Sequence, residues 1–343
     1  MAGESIAGKI SRFGEKLGVA PEEALFLKQF AGEVLTSFER YSVTNGRVRE
    51  RRIQNGKSAS FPLIGAMSSS YLTPGENLIT EGGASSTYLS DPKLSEKIIA
   101  IDGLLTSSVM IHDLDEAMSH FDVRGPYARE MGWALAKTYD LNNLWAIWSG
   151  SLTPATIAGD ESDWSKGGKK LTDSGWAAAA NITAALLTVA QTFDENDVPS
   201  EGRHVVIDPA DFYLLAGSDK VMHADYAQMG GGTGGSAAQG GSIETVMYAG
   251  LHIHKSNRIV DLRTFSHTGE IPLGTDYDAS GSRPNLEMLA WQEDMSVGVV
   301  KLKDLSMQSE FKIEYQSTFM VGGFACGHGV LHESACASLI TAT

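Results

Sequence analysis

The sequence predicts an α+β fold, because its helical patterns come before most of its strand patterns. Apolar residues recur at helical spacing over residues 20–40, 126–150 and 174–193. Residues 286–343 instead contain apolar runs of strand length. A chain of 343 residues with 42% apolar residues can bury a large core, and at roughly 150 residues per domain it suggests two domains.

The first 150 residues are predicted to contain an amphipathic helix, two strands and a long helix. The amphipathic helix covers residues 20–40, and the strands cover residues 57–64 and 96–102. Between these strands, residues 65–95 include 13 Ser, Gly and Pro residues among 31. Long polar excursions of this kind are functional or disordered in compact domains. The long helix runs from Pro126 to Gly150, with proline in its first turn, and would be about 36 Å long.

The rest of the chain is predicted to alternate short elements with loops. A helix over residues 174–193 is followed by the strand Arg203–Ile207 and a short helix that Asp208 caps. Loops are expected over residues 154–170, 229–242 and 256–285. The remaining strands are Leu251–Lys255, Leu286–Trp291, Val297–Lys303, Ser309–Tyr315, Phe319–Cys326 and Ala337–Ile340.

The charge is acidic overall and unevenly distributed. The net charge is −15, yet residues 1–60 carry +3 and the remainder carries −18. An acidic chain repels phosphate backbones, which disfavours a dedicated nucleic-acid-binding domain. A basic arm on an acidic body is either a surface for another copy of the chain or a solvated loop. Its basic residues are densest at Arg47, Arg49, Arg51, Arg52 and Lys57.

No membrane or export segment is predicted. The first 18 residues are too polar for a signal peptide. Residues 174–193 lack charge, but they are rich in alanine and contain several Ser, Thr, Asn and Gln residues, so they fall short of a membrane span. The sequence therefore predicts a soluble, intracellular protein.

Two groups of residues have the chemistry of metal ligands. The first has the spacing C-x-H-x3-H-x3-C, which matches no common zinc module, so buried free cysteines are favoured. Its members are Cys326, His328, His332 and Cys336. The second fits a calcium loop, although Arg283 and Pro284 interrupt it and no helices flank it, which favours an acidic surface loop. Its members are Asp276, Asp278, Ser280, Gly281 and Glu287.

The remaining candidate motifs have structural explanations. His252 and His254 alternate with apolar residues in a strand and are expected to face solvent. Asp113, Asp115 and Glu116 begin a helix, where its dipole favours negative charge. The glycine run at 230–241 lacks the Gly-Lys-Ser/Thr ending of a phosphate loop. No catalytic, cofactor-binding or metal-binding residue is assigned, no cofactor is expected, and the chain is predicted not to be an enzyme.

Several long stretches resemble the major capsid proteins of T7-like podoviruses, which are tailed bacteriophages with the HK-97-type capsid fold. They cover roughly residues 24–150 and 290–335, whereas residues 151–285 match only in outline. The stretches are ALFLKQFAGEVLTSFERYSVT (24–44), GKSASFPLIG (56–65), YLTPGENL (71–78), EKIIAIDGLLTSSVMIHDLDEAMSHFDVR (96–124), VGVVKLKDL (297–305) and ACGHGVL (325–331).

The resemblance implies an HK-97-type domain organisation. It implies an N-terminal arm over residues 1–56 and an extended β-loop with its strands over 57–104. A peripheral domain with the spine helix is expected over 105–150, and an axial domain over 151–304. Residues 305–343 are expected to return as strands to the peripheral domain. No residue can be assigned to the Lys–Asn crosslink that some relatives with this fold form.

The resemblance also implies a structural function. The chain is expected to form pentamers and hexamers of the icosahedral phage head, which encloses double-stranded DNA without sequence-specific binding. A scaffolding protein and a portal protein are the expected partners, with assembly in the cytoplasm of the bacterial host. Two alternatives remain open: a metal-dependent hydrolase using the Cys326–Cys336 group, and a calcium-binding surface protein using Asp276–Glu287.

Overall fold

The computed structural model describes residues 33–64, 94–118, 124–153, 167–173, 178–217, 245–265, 267–268, 276–277 and 285–341, with residues 69, 71, 72, 74 and 176. The helices are α1 (residues 33–41), α2 (Asp113–Met118), α3 (Arg124–Leu152), α4 (Ala179–Glu195), α5 (Pro209–Ala216) and α6 (Arg258–Thr264). The strands are β1 (Arg49–Arg52), β2 (Ser58–Ile64), β3 (Leu94–Ala100), β4 (Gly103–His112), β5 (Lys169–Asp173), β6 (Arg203–Ile207), β7 (Thr245–Tyr248), β8 (Leu251–Lys255), β9 (His267–Thr268), β10 (Asp276–Tyr277), β11 (Leu286–Gln292), β12 (Val297–Lys312), β13 (Ser317–Val330) and β14 (Cys336–Thr341).

These strands form two larger sheets and two paired ribbons. The four-stranded sheet has the order β1-β12-β13-β4, and the six-stranded sheet has the order β5-β14-β11-β6-β8-β7. The six-stranded sheet is mixed, since β5 and β14 pair in parallel whereas β11 runs antiparallel to both of its neighbours. Strand β2 pairs with β3, and β9 pairs with β10. Mixed sheets with helices outside them fit the predicted α+β class.

The first of two compact units comprises Met1–Ser42, Leu104–Lys137 and Lys303–Phe324. In its described part, α1 packs closely on the first half of α3, where the Ser37 hydroxyl donates a hydrogen bond of 2.8 Å to the carbonyl of Arg129. A Cβ atom at Gly132 would lie 2.7 Å from the carbonyl oxygen of Val34, so only glycine permits this approach. The core of this unit is small and contains Val34, Ile111, Ala128, Met131 and Met320.

The second unit comprises Val43–Gly103, Thr138–Leu302 and Ala325–Thr343. It contains the largest core, in which the apolar face of α4 packs with residues of the six-stranded sheet. Within α4 the buried residues recur three and four positions apart, as an amphipathic helix requires. They are Ile182, Thr183, Ala185, Leu186, Val189, Ala190 and Phe193.

The structure confirms the main elements that the sequence predicts. Helix α3 extends the predicted spine helix by two residues at each end. Strands β2 and β3 pair antiparallel with Ser58 opposite Ala100, as expected for the strands flanking the polar excursion. The carboxylate of Asp208 accepts a hydrogen bond of 3.1 Å from the backbone N–H of Ala210 and caps α5. No helix in the described part of the chain is long and apolar enough to cross a membrane.

Two local predictions are wrong. The loop predicted over residues 256–285 contains α6, whose Ile259 and Leu262 are fully buried. A helix of seven residues places too few apolar side chains on one face for periodicity to reveal it. The two strands predicted between Val297 and Tyr315 are one strand, β12, because Leu305 and Met307 continue its alternation and pack on the first unit's core.

Candidate assembly interface

The ribbon of β2 and β3 has a buried face and an exposed face. The buried face carries Ala59, Phe61 and Ile99, which join a core cluster that also contains Val300 and Leu331. The opposite face carries Ile98, which is 66% exposed. Because the other face already supplies the core, Ile98 leaves an apolar side chain of the ribbon available to another molecule. This exposed face is therefore a candidate contact surface.

The strand β1 carries most of the predicted basic residues on the surface. All four of its residues, Arg49 to Arg52, are exposed, and β1 lies at the edge of the four-stranded sheet. The guanidinium of Arg51 donates a hydrogen bond to the carbonyl of Ser60, and it lies 5.5 Å from the ring centroid of Phe61. These contacts order the arginine before any partner binds. Lys57 is exposed as well.

Arg47 differs from the other basic residues because it is half-buried in the second unit. Its guanidinium donates a hydrogen bond to the carbonyl of Val43, and its own carbonyl accepts one of 2.8 Å from the indole N–H of Trp291. Burial lowers the pKa of Arg47, while Asp140 and Glu293 act in the opposite direction. Arg47 is therefore partly buried and held by these contacts, unlike the exposed arginines of β1.

Asp140 is a fully buried carboxylate that holds the segment following α1. It accepts hydrogen bonds from the backbone N–H groups of Val43 and Thr44, each at 3.0 Å, and one of 2.7 Å from the Thr44 hydroxyl. Asn143, one turn later in α3, donates to the same hydroxyl at 2.9 Å. The guanidinium of Arg258 lies 3.7 Å from the carboxylate. These residues are distant in sequence, so no local motif reveals the network.

Cys326, His328 and Asn143 form a chain of contacts with the geometry of a thiol–imidazole–amide triad. The Cys326 sulfur lies 3.2 Å from His328 Nε2, and His328 Nδ1 lies 2.7 Å from Asn143 Oδ1. Such a triad in a hydrolase needs an accessible thiolate. Here all three residues are buried, burial raises the pKa of the Cys326 thiol, and burial lowers the pKa of His328 to about 3. The arrangement is therefore a neutral, internal hydrogen-bond chain.

The rest of the predicted zinc group has other partners. His332 Nδ1 lies 2.8 Å from the Ser334 hydroxyl, and the Cys336 thiol donates a long contact of 3.7 Å to the carbonyl of His332. Burial raises the pKa of Cys336, which disfavours the thiolate that zinc requires. Across the described ranges of the chain, no three His, Cys, Asp or Glu residues are arranged to hold a metal ion.

The prediction that His252 and His254 face solvent is wrong for His254, which is 6% exposed. His254 Nε2 lies 3.2 Å from His204 Nδ1, and Trp291 contacts His204 ring to ring. Alternation of polar and apolar residues places the polar side chains in solvent only when one face of the sheet is left uncovered. Because the Trp291 indole bonds the Arg47 carbonyl, the segment around Arg47 covers this second face.

The histidine pair predicts a loss of stability in acid. Burial, followed by the charge of Arg47, lowers the pKa of His204 to about 4 and that of His254 to about 3. Both are neutral in the folded chain, whereas unfolded histidines take up protons below about pH 6.5. The free energy of unfolding is therefore highest above that pH and falls as the pH drops towards 4. The expected loss is about 1–2 kcal/mol per histidine at pH 5.

Urea unfolding at about pH 7 and pH 5 measures this dependence. The variant His204→Gln/His254→Gln should be less stable at neutral pH but should lose less stability on acidification. The exposed His112→Gln serves as a matched control and should behave as the unaltered chain does. If the double variant lost as much stability on acidification as the unaltered chain, the buried histidine pair would not be the cause of the pH dependence.

The remaining predicted motifs lie partly outside the described residues. Of the calcium group, Asp276 falls in β10, residues 278–284 lie outside, and the Glu287 carboxylate pairs with Arg263 at 2.8 Å. The glycine run 230–241 also lies outside. Asp113 begins α2 as predicted, whereas the side chains of Asp115 and Glu116 lie outside the described set.

The far end of β12 exposes a second apolar surface, in the first unit. Ile313 is 74% exposed and Tyr315 is 59% exposed, in the turn that follows β12. The backbone N–H of Asp113 donates to the carbonyl of Gln316, which joins this turn to α2. Helix α2 adds Leu114 and Met118, both more than half exposed. Contiguous exposed apolar residues of this kind mark interaction surfaces.

The fold is that of tailed-phage capsid proteins of the HK97 type. The capsid structure of the cyanophage P-SCSP1u is 33% identical in sequence and superposes with a TM-score of 0.69, covering 97% of this chain and 98% of that chain. The major capsid protein of Escherichia phage T7 is 32% identical over 340 residues, which are 92% of each chain. The major capsid protein of Enterobacteria phage T3 is 31% identical over 343 residues, covering 95% of this chain and 94% of that one.

The family model described as "Gp10A-like: Major capsid protein" matches residues 60–340. The chain belongs to this family of phage major capsid proteins. It is therefore a structural protein of the virion shell and not an enzyme. The resemblance read from the sequence is confirmed.

Proposed function

We propose that the chain assembles as pentamers and hexamers into a closed icosahedral head that encloses double-stranded phage DNA. The observation that carries this proposal is the likeness to the cyanophage capsid over 97% of the chain at 33% identity. Closed rings require heterologous contacts, in which one surface of a subunit meets a different surface of its neighbour. The exposed arginines of β1 and the exposed face of the β2–β3 ribbon are distinct surfaces suited to such contacts.

The charge of the chain supports a container from which DNA can leave. A net charge of −15 gives no general attraction to phosphate, and charge repulsion allows DNA to slide without being held. The proposal includes a scaffolding protein during assembly, a portal protein at one vertex, and assembly in the host cytoplasm. It also takes residues 57–104 as the extended β-loop, 105–150 as the peripheral domain and 151–304 as the axial domain.

Cryo-electron microscopy of particles formed by the expressed chain tests this proposal. The expected result is a closed shell with capsomers of five and six subunits on icosahedral axes. Particles without five-fold capsomers, such as open sheets or tubes only, would contradict the proposed head while leaving the family membership intact.

The basic strand β1 is expected to bind an acidic surface of the neighbouring subunit. Arg49, Arg51 and Arg52 are exposed, and the chain outside residues 1–60 carries −18. A rim charge pair contributes only about 0–1 kcal/mol, but the contact repeats at every subunit. Changing all three arginines to Glu should lower the yield of particles, and the defect should depend on salt because screening weakens charge repulsion.

The control for this variant must separate assembly from folding, because Arg51 also contacts Ser60. Changing the same arginines to Lys keeps the charge and should retain most assembly. Thermal unfolding of the unassembled subunit should be similar in both variants. A normal particle yield from the Glu variant would show that β1 is not an interface.

Removal of divalent cations tests the two alternatives to a purely structural shell protein. Glu287 pairs with Arg263, and the Cys326 thiol stays protonated. Neither the predicted calcium group nor the predicted zinc group should therefore hold a stabilising metal. EDTA and EGTA should therefore leave the melting temperature of the particles unchanged. A large fall that calcium or zinc reverses would instead support the calcium-binding or zinc alternative.

A further inference from the structure

The base of the β2–β3 ribbon rests on a surface made by three glycines. These residues, Gly298 in β12 and Gly327 and Gly329 in β13, are named here the glycine seat. A Cβ atom at Gly327 would lie 1.9 Å from the carbonyl oxygen of Ala100 and 2.9 Å from the Cα of Ile101. These are backbone atoms, so no side-chain rotation can relieve the overlap. The ribbon can lie this close only because the seat has no side chains.

The other two glycines of the seat receive one side chain of the ribbon. A Cβ atom at Gly329 would lie 2.8 Å from Cγ1 of Ile99, and one at Gly298 would lie 3.0 Å from Cδ1 of the same residue. Ile99 is 3% exposed, so its side chain fills the space that the glycines leave. The ribbon is thus held by shape complementarity as well as by apolar burial.

Polar contacts fix the ribbon on the seat from several sides. The backbone N–H of Asp102 donates to the carbonyl of Cys326 at 3.1 Å. Lys97 on β3 donates to the Glu333 carboxylate at 2.9 Å, and the side chain of Glu333 is 4% exposed. A nearly buried carboxylate strongly favours retention of its cation partner. Together with the seat, these bonds constrain the orientation of the base of the ribbon.

We propose that the glycine seat sets the direction in which the ribbon leaves the second unit, and that this direction helps to set the curvature of the assembled shell. Each strand of the ribbon has seven residues and is about 23 Å long, so a small tilt at the base displaces the outer end. The inference rests on the proposed assembly into a closed shell. It assigns Gly327 and Gly329 a positioning role that is separate from stability.

The test compares Gly327→Ala, Gly329→Ala and the control Gly322→Ala. A Cβ atom at Gly322, in the same strand, would lie 2.5 Å from the Met307 sulfur, which belongs to a flexible side chain that can move. Each variant is measured by thermal unfolding of the unassembled subunit and by the diameters of particles in electron micrographs. The seat variants should lose particles of the original diameter or form a broadened distribution, whereas the control should form particles of the original size.

A rescue experiment separates position from stability. In Gly329→Ala/Ile99→Ala, the volume added at the seat is removed from the ribbon, so particle diameter should return towards the original value even though the smaller core lowers the melting temperature. If Gly327→Ala does not fold, the comparison of Gly329→Ala with Gly329→Ala/Ile99→Ala still tests whether the seat positions the ribbon. Original diameters in a folded Gly329→Ala variant would overturn the inference. Failure of the unaltered chain to form particles would instead count against the proposed shell.

Discussion

Replacing residues 66–94 with an Asn-Gly turn should abolish closed shells and leave a folded subunit. The core residues of the ribbon, Phe61 and Ile99 among them, are retained in this variant. Within the replaced segment, the structure describes Tyr71 as 101% exposed and Leu72 as 48% exposed. Apolar side chains that are exposed in one subunit gain from burial against a neighbour's surface. We therefore expect loss of the segment to remove contacts that Tyr71 and Leu72 make with a neighbouring subunit.

Sedimentation velocity and thermal unfolding measure the two parts of this prediction. The unassembled variant should sediment as a small species and unfold cooperatively. The substitution Tyr71→Ser/Leu72→Ser should reduce particle stability in the same direction, and Ser69→Ala in the same segment is the control that should assemble normally. Particles of normal size and stability from the replacement variant would show that the segment does not join subunits.

Changing Asp140 to Ala should destabilise the subunit by about 3–5 kcal/mol, because three donors that it satisfies become unpaired inside the protein. The donors are the backbone N–H groups of Val43 and Thr44 and the Thr44 hydroxyl. Asp140→Asn keeps one carbonyl oxygen as an acceptor and should lose less. In both variants the segment following α1 should become accessible to proteases.

Urea unfolding of the unassembled subunit measures this change. The exposed carboxylate of Glu310 in β12 provides the control, since its replacement by Ala should alter stability by less than about 0.5 kcal/mol. A loss below about 1 kcal/mol for Asp140→Ala would mean that water or rearrangement satisfies the three donors.

The features that the sequence predicts well depend on long periodic patterns. The spine helix and the paired strands around the polar excursion each have many residues of one period, so local propensity and burial agree. Helix α6 escapes prediction because seven residues give no clear period. The burial of His254 cannot be predicted from the sequence pattern, because it depends on Trp291 and Arg47. These residues cover a face of the sheet that alternation alone assigns to solvent.

The contacts that position the candidate interface are even less visible in the sequence. Asp140 and Thr44 are 96 residues apart, and Lys97 and Glu333 are 236 residues apart, so no local motif relates them. The run of glycines near residue 327 indicates only a turn or a flexible strand when read alone. Its meaning depends on Ala100 and Ile101, whose backbone occupies the space that side chains would fill.

The most direct test of the proposed function is whether the chain forms a shell when it is expressed alone or with the proposed scaffolding protein. Sedimentation followed by negative-stain electron microscopy measures this in one preparation. We expect fast-sedimenting, hollow particles of uniform diameter that contain this chain as their main component. A monodisperse small protein under both expression conditions, folded and with no tendency to form rings or shells, would contradict the proposed function.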